Sequence, residues 1–438
     1  MKPRSVRRGI RPCLGLLILS LAAPPTAPAE VVSPSAVHRL AEAARQRHPG
    51  LQALQSRAAA ARENAEGVRQ WSDPSLRAGG IGYTPRGPAP SEEGDIALGI
   101  SQNLPVFGKE SAARAVAQAE SRTAQETLET RFQMLKRDLM GRALDSALLN
   151  RRIELAQADL AWLRNLSLGL EARLPSGAVS PAQLLRLRNE VSQAEATLRL
   201  RHLEARDAAV RIQRILGKPT EPPVDHWELP ARARPIAYRH EWSRKALAVE
   251  PRLRLARRMS QEAEARVEAT RLSPRPNLSL GLDSRQYSGD GGLRNGSATL
   301  SMSLPWFNRD QYRKDLARDR LRLEASQREV ADLESEVAME IHHQVTRIEA
   351  TRIRAELAEE TLIPRIRAAQ EAATAALAGG GGDLREALDL RRQGLEASAQ
   401  QADAIAEQWS AIAELLLVCG WNDLPETDAT TPIPQQPR

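Results

Sequence analysis

Cysteine and aromatic residues are scarce in this sequence. Its 438 residues include 2 Cys, 7 Trp, 4 Tyr and 3 Phe, whereas 27% of them are charged. This composition is typical of long helices rather than of a mixed globular core. Cys13 lies in a segment that we expect to be removed, so Cys419 would have no intramolecular disulfide partner. The fold must then hold without disulfides, and Cys419 is predicted to be a small buried side chain.

Long apolar runs are absent except near the start of the chain. There a basic segment is followed by an apolar run at 14–23 and by Ala27-Pro28-Ala29, which together have the form of a secretory signal peptide. We expect a signal peptide over 1–29, with cleavage between Ala29 and Glu30. The apolar run is about half of the roughly 20 residues that cross a bilayer as a helix. Cys13 precedes this run, so an exported protein that is not a lipoprotein is expected.

A large excess of charge of one sign is also missing from the body of the chain. The formal net charge is +7, but five of these charges belong to the basic residues of the first eleven positions. Beyond them acids and bases are interleaved, which is typical of solvated helix faces. The composition therefore argues against nucleic acid as a partner.

The remainder of the sequence contains a twofold internal repeat. Four landmarks of the first half recur in the same order about 200 residues later. They are two X-Pro pairs, a Leu-Pro-x-Phe stretch and a glycine-containing break in each half, namely His48-Pro49 and Glu250-Pro251, Asp73-Pro74 and Arg275-Pro276, 104–108 and 304–308, and Gly177 and 379–382. Five prolines between 217 and 235 separate the halves, because proline interrupts a helix.

Each half contains the same series of predicted elements. The first repeat, 30–216, has a helix over about 35–70, a β-hairpin over 75–103, a long helix over 109–173 and a return helix over 181–216. The second repeat, 236–421, has a helix over about 236–271, a β-hairpin over 277–304, a long helix over 309–376 and a return helix over 383–419. A proline-rich linker spans 217–235, and the tail at 422–438 is predicted to be disordered.

The hairpin segments alternate with a period of two, which indicates strands. Ile96, Leu98 and Ile100 alternate with small residues, and the second half repeats this pattern in strands predicted over 277–287 and 297–304. Four strands cannot close a barrel by themselves, because about eight are needed. If the strands face lipid, several chains must associate, since open strand edges are not tolerated in hydrocarbon.

The long helices are the dominant feature of both halves. Residues 109–173 contain no proline, and 309–376 contain only Pro364, which is expected to kink its helix. At about 1.5 Å per residue each helix would be roughly 100 Å long. Leu128, Phe132, Leu135 and Leu139 step by four, three and four residues, which predicts coiled-coil packing. Each long helix ends at a glycine break before its return helix, so each half forms a helical hairpin with a tight tip.

No motif in the sequence indicates catalysis. Gly108-Lys109 is followed by Glu110 instead of the Ser or Thr of a phosphate-binding loop. The glycines at 80 and 82 precede a second strand instead of the helix of a dinucleotide fold. The seven histidines lack the Cys and His spacings of a metal site. We therefore expect no enzyme, no cofactor and no bound metal.

Three acids after the second glycine break lie at a spacing of three residues. Asp383, Glu386 and Asp389 would share one face at the start of the return helix. One interpretation is favourable pairing of acids with a helix N-terminus, with Arg385, Arg391 and Arg392 close by. The other is a periplasmic gate, because an oligomer would repeat this face as a ring of acids around a pore.

The order of these features resembles the TolC-type outer-membrane efflux protein family over about 35–421. Within it the chain is most similar to the heavy-metal (CzcC-like) branch. The stretches that carry the likeness are Arg47-His48-Pro49-Gly50-Leu51, Ile100-Ser101-Gln102-Asn103-Leu104-Pro105-Val106-Phe107-Gly108-Lys109, Leu304-Pro305-Trp306-Phe307-Asn308-Arg309 and Leu362-Ile363-Pro364.

The resemblance implies a mostly α-helical homotrimer with a small β part. Three copies of four strands would make a twelve-stranded barrel in outer-membrane lipid of a Gram-negative bacterium, and the helical hairpins would form a tunnel across the periplasm. Such proteins bind no cofactor and conduct passively. They are exit ducts for an inner-membrane pump, here expected to be of the RND type, joined through a periplasmic adaptor.

The resemblance also assigns roles at the tips. The adaptor would meet residues of both turns, namely Ser176, Gly177, Ala178, Val179, Gly380 and Gly381. The gating acids of the family match Glu386 and Asp389 here. Two features depart from the family: the matching position of the first half is Gln183, and the run of four glycines is longer than the usual single glycine.

Two other functions remain open at this stage. One is a duct of the same fold for drugs or for secreted proteins, which the neighbouring pump genes would distinguish. The other is a periplasmic coiled-coil adaptor or structural protein without membrane strands. An adaptor would not need two hairpins with apolar alternation, so this second alternative is disfavoured.

Overall fold

The structure is a computed structural model that describes residues 30–81, 83–84, 87–88, 95–176, 180–218, 226–287, 292–379 and 381–424. The signal peptide expected over 1–29, with Ala29, lies outside these residues. So do residues 219–225 of the linker and all but three residues of the predicted tail.

Helices make up most of the described chain. They are α1 (Pro34–Arg45), α2 (Pro49–Gly67), α3 (Lys109–Glu171), α4 (Pro181–Ile215), α5 (His240–Val249), α6 (Pro251–Leu272), α7 (Arg309–Leu357), α8 (Ile363–Gly379) and α9 (Leu384–Cys419). Short 3-10 turns cover Leu174–Ser176 and Pro305–Asn308, and a π-helical turn covers Ala358–Leu362. At 63 residues, α3 is about 95 Å long.

The strands are β1 (Glu30–Val31), β2 (Ser75–Ile81), β3 (Tyr83–Thr84), β4 (Gly87–Pro88), β5 (Asp95–Leu104), β6 (Trp227–Glu228), β7 (Leu278–Tyr287) and β8 (Leu293–Met302). One antiparallel sheet has the order β2-β5-β7-β8. Its central pair, β5 and β7, comes from different repeats, and Leu98 lies opposite Ser284. The two hairpins therefore form one sheet with its open edges at β2 and β8.

The strand β8 begins earlier than the sequence indicates. The alternation predicts its start at Ser297, whereas pairing begins at Leu293 and ends at Met302. Asn295 and Gly296 are typical of a turn, so local propensity places them in the loop. Pairing with the opposite strand overrides that propensity in the folded sheet.

The first helix of each repeat is interrupted, which corrects the prediction of single helices over 35–70 and 236–271. A new helix begins at Pro49 and at Pro251. Proline is accepted at the first helical position because the amide that it lacks would have no partner there. The preceding side chains cap the new helices: Nδ1 of His48 accepts from Gly50, and a carboxylate oxygen of Glu250 accepts from Leu253.

The second long helix is divided at a π-helical turn. α7 ends at Leu357, the π-turn covers Ala358–Leu362, and α8 continues to Gly379 with Pro364 in its first turn. Proline removes a backbone donor, and a π-turn is one way in which a helix accommodates that loss. The irregularity therefore lies at the position that Pro364 predicts.

Two apolar clusters form the middle of the molecule, and each is built mainly from one repeat. In the first, Phe132 and Leu139 of α3 pack against α1, α2 and α4. In the second, Ile341 and Ile348 of α7 pack against Trp242 and the end of α9. The buried Cys419 belongs to the second cluster, and burial raises the pKa of its thiol to about 12.

The second part of the predicted linker is packed rather than free. Trp227 is 1% exposed, and its strand β6 pairs in parallel with β1. The Gln408 side chain accepts from the Ala233 amide at 2.9 Å and donates to its carbonyl at 3.3 Å. Residues 226–235 therefore form part of the middle of the molecule, which the prolines of the linker do not reveal.

Among the described helices, none combines the length and the apolar character needed to cross a bilayer.

Candidate functional site

The turns of the two helical hairpins lie together at one end of the molecule, and we refer to this end as the tip. A tip cluster of apolar side chains joins α3 and α4 to α8 and α9. Its buried members are Leu163, Leu170, Leu187, Leu377, Leu384, Ala387 and Leu388. The strand sheet lies at the opposite end of α3, so the two regions are separated by the length of that helix.

Arg173 connects the two turns by hydrogen bonds. Its guanidinium, just after α3, donates to the carbonyl oxygen of Leu377 at 2.9 Å and also to that of Ala378. The last carbonyls of a helix have no intrahelical partner and carry partial negative charge. Arg173 of the first helical hairpin therefore caps the C-terminal end of α8, which belongs to the second helical hairpin.

One glycine of the four-glycine run is required by close packing. A Cβ at Gly382 would collide with the backbone nitrogen of Leu377 and lie 2.8 Å from the carbonyl carbon of Ala376. A Cβ at Gly379 or Gly381 would meet no atom within 4 Å. Gly382 thus permits the return of the chain over α8.

The three acids have different surroundings. Asp383 is the N-cap of α9, where its Oδ1 accepts from the Arg385 amide at 3.0 Å. Glu386 and Asp389 are exposed on the following turns. Asp389 lies 3.8 Å from Arg392, and within the described residues no basic side chain lies within ion-pair distance of Glu386. The capping interpretation therefore describes Asp383, while Glu386 and Asp389 present their charge to solvent.

Arg391 belongs to a contact that the sequence did not indicate. Its Nε donates to Oδ1 of Asp159 on α3 at 2.9 Å, and its guanidinium carbon lies 5.4 Å from the ring centroid of Trp162. Arg391 therefore joins the hairpins and does not neutralise the acids. A lone Asp on a long charged helix carries no sequence signal, so Asp159 could not be identified beforehand.

Most of the predicted adaptor-binding residues lie at or beyond the edge of the described chain. Ser176 ends the 3-10 turn after α3, and Gly381 is exposed between α8 and α9. Gly177, Ala178, Val179 and Gly380 lie outside the described residues. Beside the turns a groove of about 340 Å³ runs between α3 and α8, lined by Trp162, Leu166 and Thr374 among others.

The sheet at the opposite end has one apolar and one polar face. The apolar face presents exposed leucine, isoleucine and methionine side chains from all four strands, namely Leu76, Ile96, Leu98, Ile100, Leu280, Leu282, Leu293, Leu300 and Met302. The other face carries small, polar and charged residues. A sheet with exposed apolar residues on one side only is typical of a barrel strand set in lipid.

The sequence profile of the outer membrane efflux proteins matches residues 40–218 and again residues 242–420. The chain belongs to the outer membrane efflux protein family. The two matched ranges correspond to the two sequence repeats, 30–216 and 236–421. No curated protein matches the chain by sequence.

Solved structures of outer-membrane channels share this efflux-protein fold. The channel OprN superposes with a TM-score of 0.76 at 20% identity, over 88% of this chain and 89% of that one. CusC has a TM-score of 0.77 at 16% identity, over 92% and 96% of the two chains. VceC from Vibrio cholerae has a TM-score of 0.73 at 18% identity, over 88% and 96%.

These matches confirm the fold class expected from the sequence, mostly α-helical with a small β part and an internal repeat. They also confirm the function at the level of the family, which is efflux through an outer-membrane channel. The family is one of channels and not of enzymes. Within the described ranges, no group of three His, Cys, Asp or Glu side chains is arranged to hold a metal ion.

The middle of this efflux protein contains a second, charged groove of about 880 Å³ between α3 and α9. Ion pairs cross it: Arg137 lies 3.6 Å from Glu414, and Arg152 lies 2.7 Å from Asp403. Burial raises the pKa of Glu414, while Arg137 opposes that shift. Since a helix turns by about 100° per residue, Glu414 and Asp403 lie on the face of α9 opposite the packed Gln408.

Proposed function

We propose that three copies of this chain form the outer-membrane exit duct of a tripartite efflux system in a Gram-negative bacterium. The observation that carries the proposal is the four-stranded sheet, which has an exposed apolar face and open edges at β2 and β8. Open edges cannot remain unpaired in hydrocarbon, and four strands are too few to close. Pairing β8 of each chain with β2 of the next would give twelve strands and no free edge.

The helical part supplies the reach of the duct. With about 95 Å of α3 between sheet and tip, the chain would extend from the outer membrane deep into the periplasm. The charged groove between α3 and α9 lies opposite the face of α9 that contacts the linker. This charged face would line the water-filled passage, because charged side chains are favoured next to water.

The tip is the proposed meeting point with a periplasmic adaptor and, through it, with an inner-membrane pump of the RND type. The adaptor would contact the turns around Ser176 and Gly381 and the adjacent groove beside Trp162. Glu386 and Asp389 are proposed as the periplasmic gate, since both are exposed on one helix start that a trimer would repeat three times.

Heavy-metal cations are the proposed cargo class, on the likeness of the stretches at 100–109 and 304–309 to the heavy-metal branch. Selection would reside in the pump, since the described part of the duct offers no ligand set. Deleting the gene and measuring growth in graded heavy-metal salts and in antibiotics tests this. Sensitivity to metals supports the assignment, whereas sensitivity to antibiotics alone, or loss of a secreted protein, assigns the duct to another pump.

The duct itself is tested by planar-bilayer recording on protein extracted from outer membranes, with the oligomer mass measured on the same sample. Discrete conductance steps from a trimer are expected. A monomeric protein that is water-soluble and does not conduct would contradict the proposal, and a periplasmic coiled-coil adaptor would then be the better assignment.

A further inference from the structure

The polar face of the sheet contains one row in which all four strands contribute a residue. The register places Arg77 of β2 opposite Gly99 of β5, Gly99 opposite Asp283 of β7, and Asp283 opposite Ser297 of β8. Residues that are directly opposite in a sheet point to the same side. The row lies near the middle of each strand.

Gly99 allows the two charged residues of this row to meet across a strand. Strands next to each other are about 4.8 Å apart, so β2 and β7 are separated by about twice that distance. Nevertheless Nη1 of Arg77 lies 3.6 Å from Oδ1 of Asp283. A Cβ at Gly99 would collide with that oxygen and lie 3.0 Å from Cγ of Asp283, so the carboxylate occupies the space above Gly99.

A third strand supports the same carboxylate. The hydroxyl of Thr299 on β8 donates to Oδ2 of Asp283 at 3.4 Å. Asp283 is the more enclosed partner, with 29% of its side chain exposed, whereas 72% of the Arg77 side chain is exposed. The carboxylate is therefore held over the sheet, and the guanidinium extends from it into open space.

The apolar face of the sheet shows which side of a barrel wall the Arg77 guanidinium would extend from. Leu76 and Leu98, which flank Arg77 and Gly99 along their strands, are exposed on the other side. In a membrane barrel the apolar side faces lipid and the polar side faces the lumen. In such a barrel the Arg77–Asp283 pair would face the lumen, and a trimer would repeat it three times at one height.

We propose that Arg77 and Asp283, meeting over Gly99, form a ring of paired charges in the barrel lumen that sets the charge selectivity of the exit. This inference rests on the proposed function, because it requires the trimeric barrel. Charged rings are a general means of selecting ions in pores. Here the two signs offset each other, and the removal of one partner exposes the other.

The test is the reversal potential of wild type, Asp283→Asn and Arg77→Gln in planar bilayers under a KCl gradient. Low salt is used, because the Debye length is about 30 Å at 0.01 M. Each substitution changes the ring by three charges in a trimer. Asp283→Asn is expected to shift the cation-to-anion permeability ratio toward anions, and Arg77→Gln is expected to shift it toward cations.

Two glycines on the same face supply a matched pair of variants that keep both charges. Gly99→Ala would displace the Asp283 carboxylate, whereas a Cβ at Gly79 would meet no atom within 4 Å. Gly99→Ala is expected to alter the selectivity, and Gly79→Ala to leave it at the wild-type value. This pair also keeps the test decisive if one of the charge substitutions prevents assembly.

The outcomes separate the two proposals. Wild-type protein that shows no discrete conductance contradicts the duct and the ring together. Normal conductance with equal selectivity in wild type, Asp283→Asn and Arg77→Gln overturns the ring and leaves the duct intact. Shifts of both charge variants in the same direction also overturn it, because opposite fixed charges must act in opposite senses.

Discussion

The carboxylate of Asp319 on α7 accepts a hydrogen bond from the hydroxyl of Thr270 on α6 at 2.7 Å. Arg318 and Arg322 lie 2.8 and 3.3 Å from the same carboxylate. Asp319 is 7% exposed, so this contact joins two helices near the sheet end through a buried acid. The pKa of Asp319 is lowered from 3.8 to about 2, and the main cause is the hydrogen bond from Arg318.

Asp319→Ala is expected to lower the free energy of unfolding by about 1–3 kcal/mol, because the hydroxyl and guanidinium donors lose a buried acceptor. Asp319→Asn retains one acceptor oxygen for Thr270 and should cost less. The thermal midpoint of the detergent-solubilised protein measures both. Equal midpoints for wild type and Asp319→Ala would show that the contact adds nothing to stability.

The same carboxylate predicts a loss of stability in acid. Because its pKa is lower in the folded protein, the contribution of Asp319 is complete above pH 3.8 and is lost as the pH falls through about 2. Thermal midpoints measured from pH 5 downward should therefore decrease less steeply in Asp319→Asn than in wild type. Parallel curves for the two proteins would contradict this assignment.

Gly382→Ala is expected to disturb the tip, because its Cβ has no space above the last turn of α8. Gly381→Ala is the matched control, since a Cβ there meets no atom within 4 Å. Limited proteolysis between α8 and α9 should be faster in Gly382→Ala and unchanged in Gly381→Ala. If both variants are cleaved at the wild-type rate, the chain around Gly382 must tolerate a side chain.

The double substitution Glu386→Ala with Asp389→Ala is expected to raise single-channel conductance or antibiotic leak. Removing six exposed charges from a trimer would relax the proposed ring of acids. Asp383→Ser is the control, because it removes a charge but retains a good N-cap for α9. Unchanged conductance in the double variant would refute the acidic gate.

His48 predicts a second response to pH, near neutrality. Its Nδ1 accepts from the amides of Gly50 and Leu51, at 3.1 and 3.3 Å, so protonation would remove the cap of α2. Burial, aided by Arg131, lowers the pKa of His48 below 6.5. The unfolded chain therefore takes up the proton first, and the stability should fall as the pH decreases through 6.5.

His48→Asn separates this cap from other titrations. Asparagine is a good N-cap that does not titrate, so the variant should retain its thermal midpoint between about pH 7.5 and 5.5 better than wild type. The loss of a cap amounts to about 1 kcal/mol. The same dependence on pH in both proteins would mean that other groups cause the change.

The sequence alone was sufficient for β5 and α3, because the signals for these elements are local. Alternation around Ile96–Ile100 predicts β5, and the absence of proline from 109 to 173 predicts α3. The helix breaks at Pro49 and Pro251 were missed for a physical reason. Proline at the first helical position and proline that ends a helix look alike until the cap before it is seen.

The candidate site was predictable only in part. The glycine break located the second turn, but the sequence could not show which glycine packs closely, because that depends on the path of the backbone near Leu377. The three acids also looked equivalent, yet Asp383 caps a helix while Glu386 remains exposed.

The twofold repeat, the order of elements and the membership of an efflux family follow from the sequence by itself, since periodicity and motif order are properties of neighbouring residues. Which charges meet was decided only by the tertiary structure. Arg391 reaches Asp159, Arg173 reaches the end of α8, and Arg77 reaches Asp283. These partners lie about 200 residues apart in a chain with 27% charged residues, so only the packing of one repeat against the other selects them.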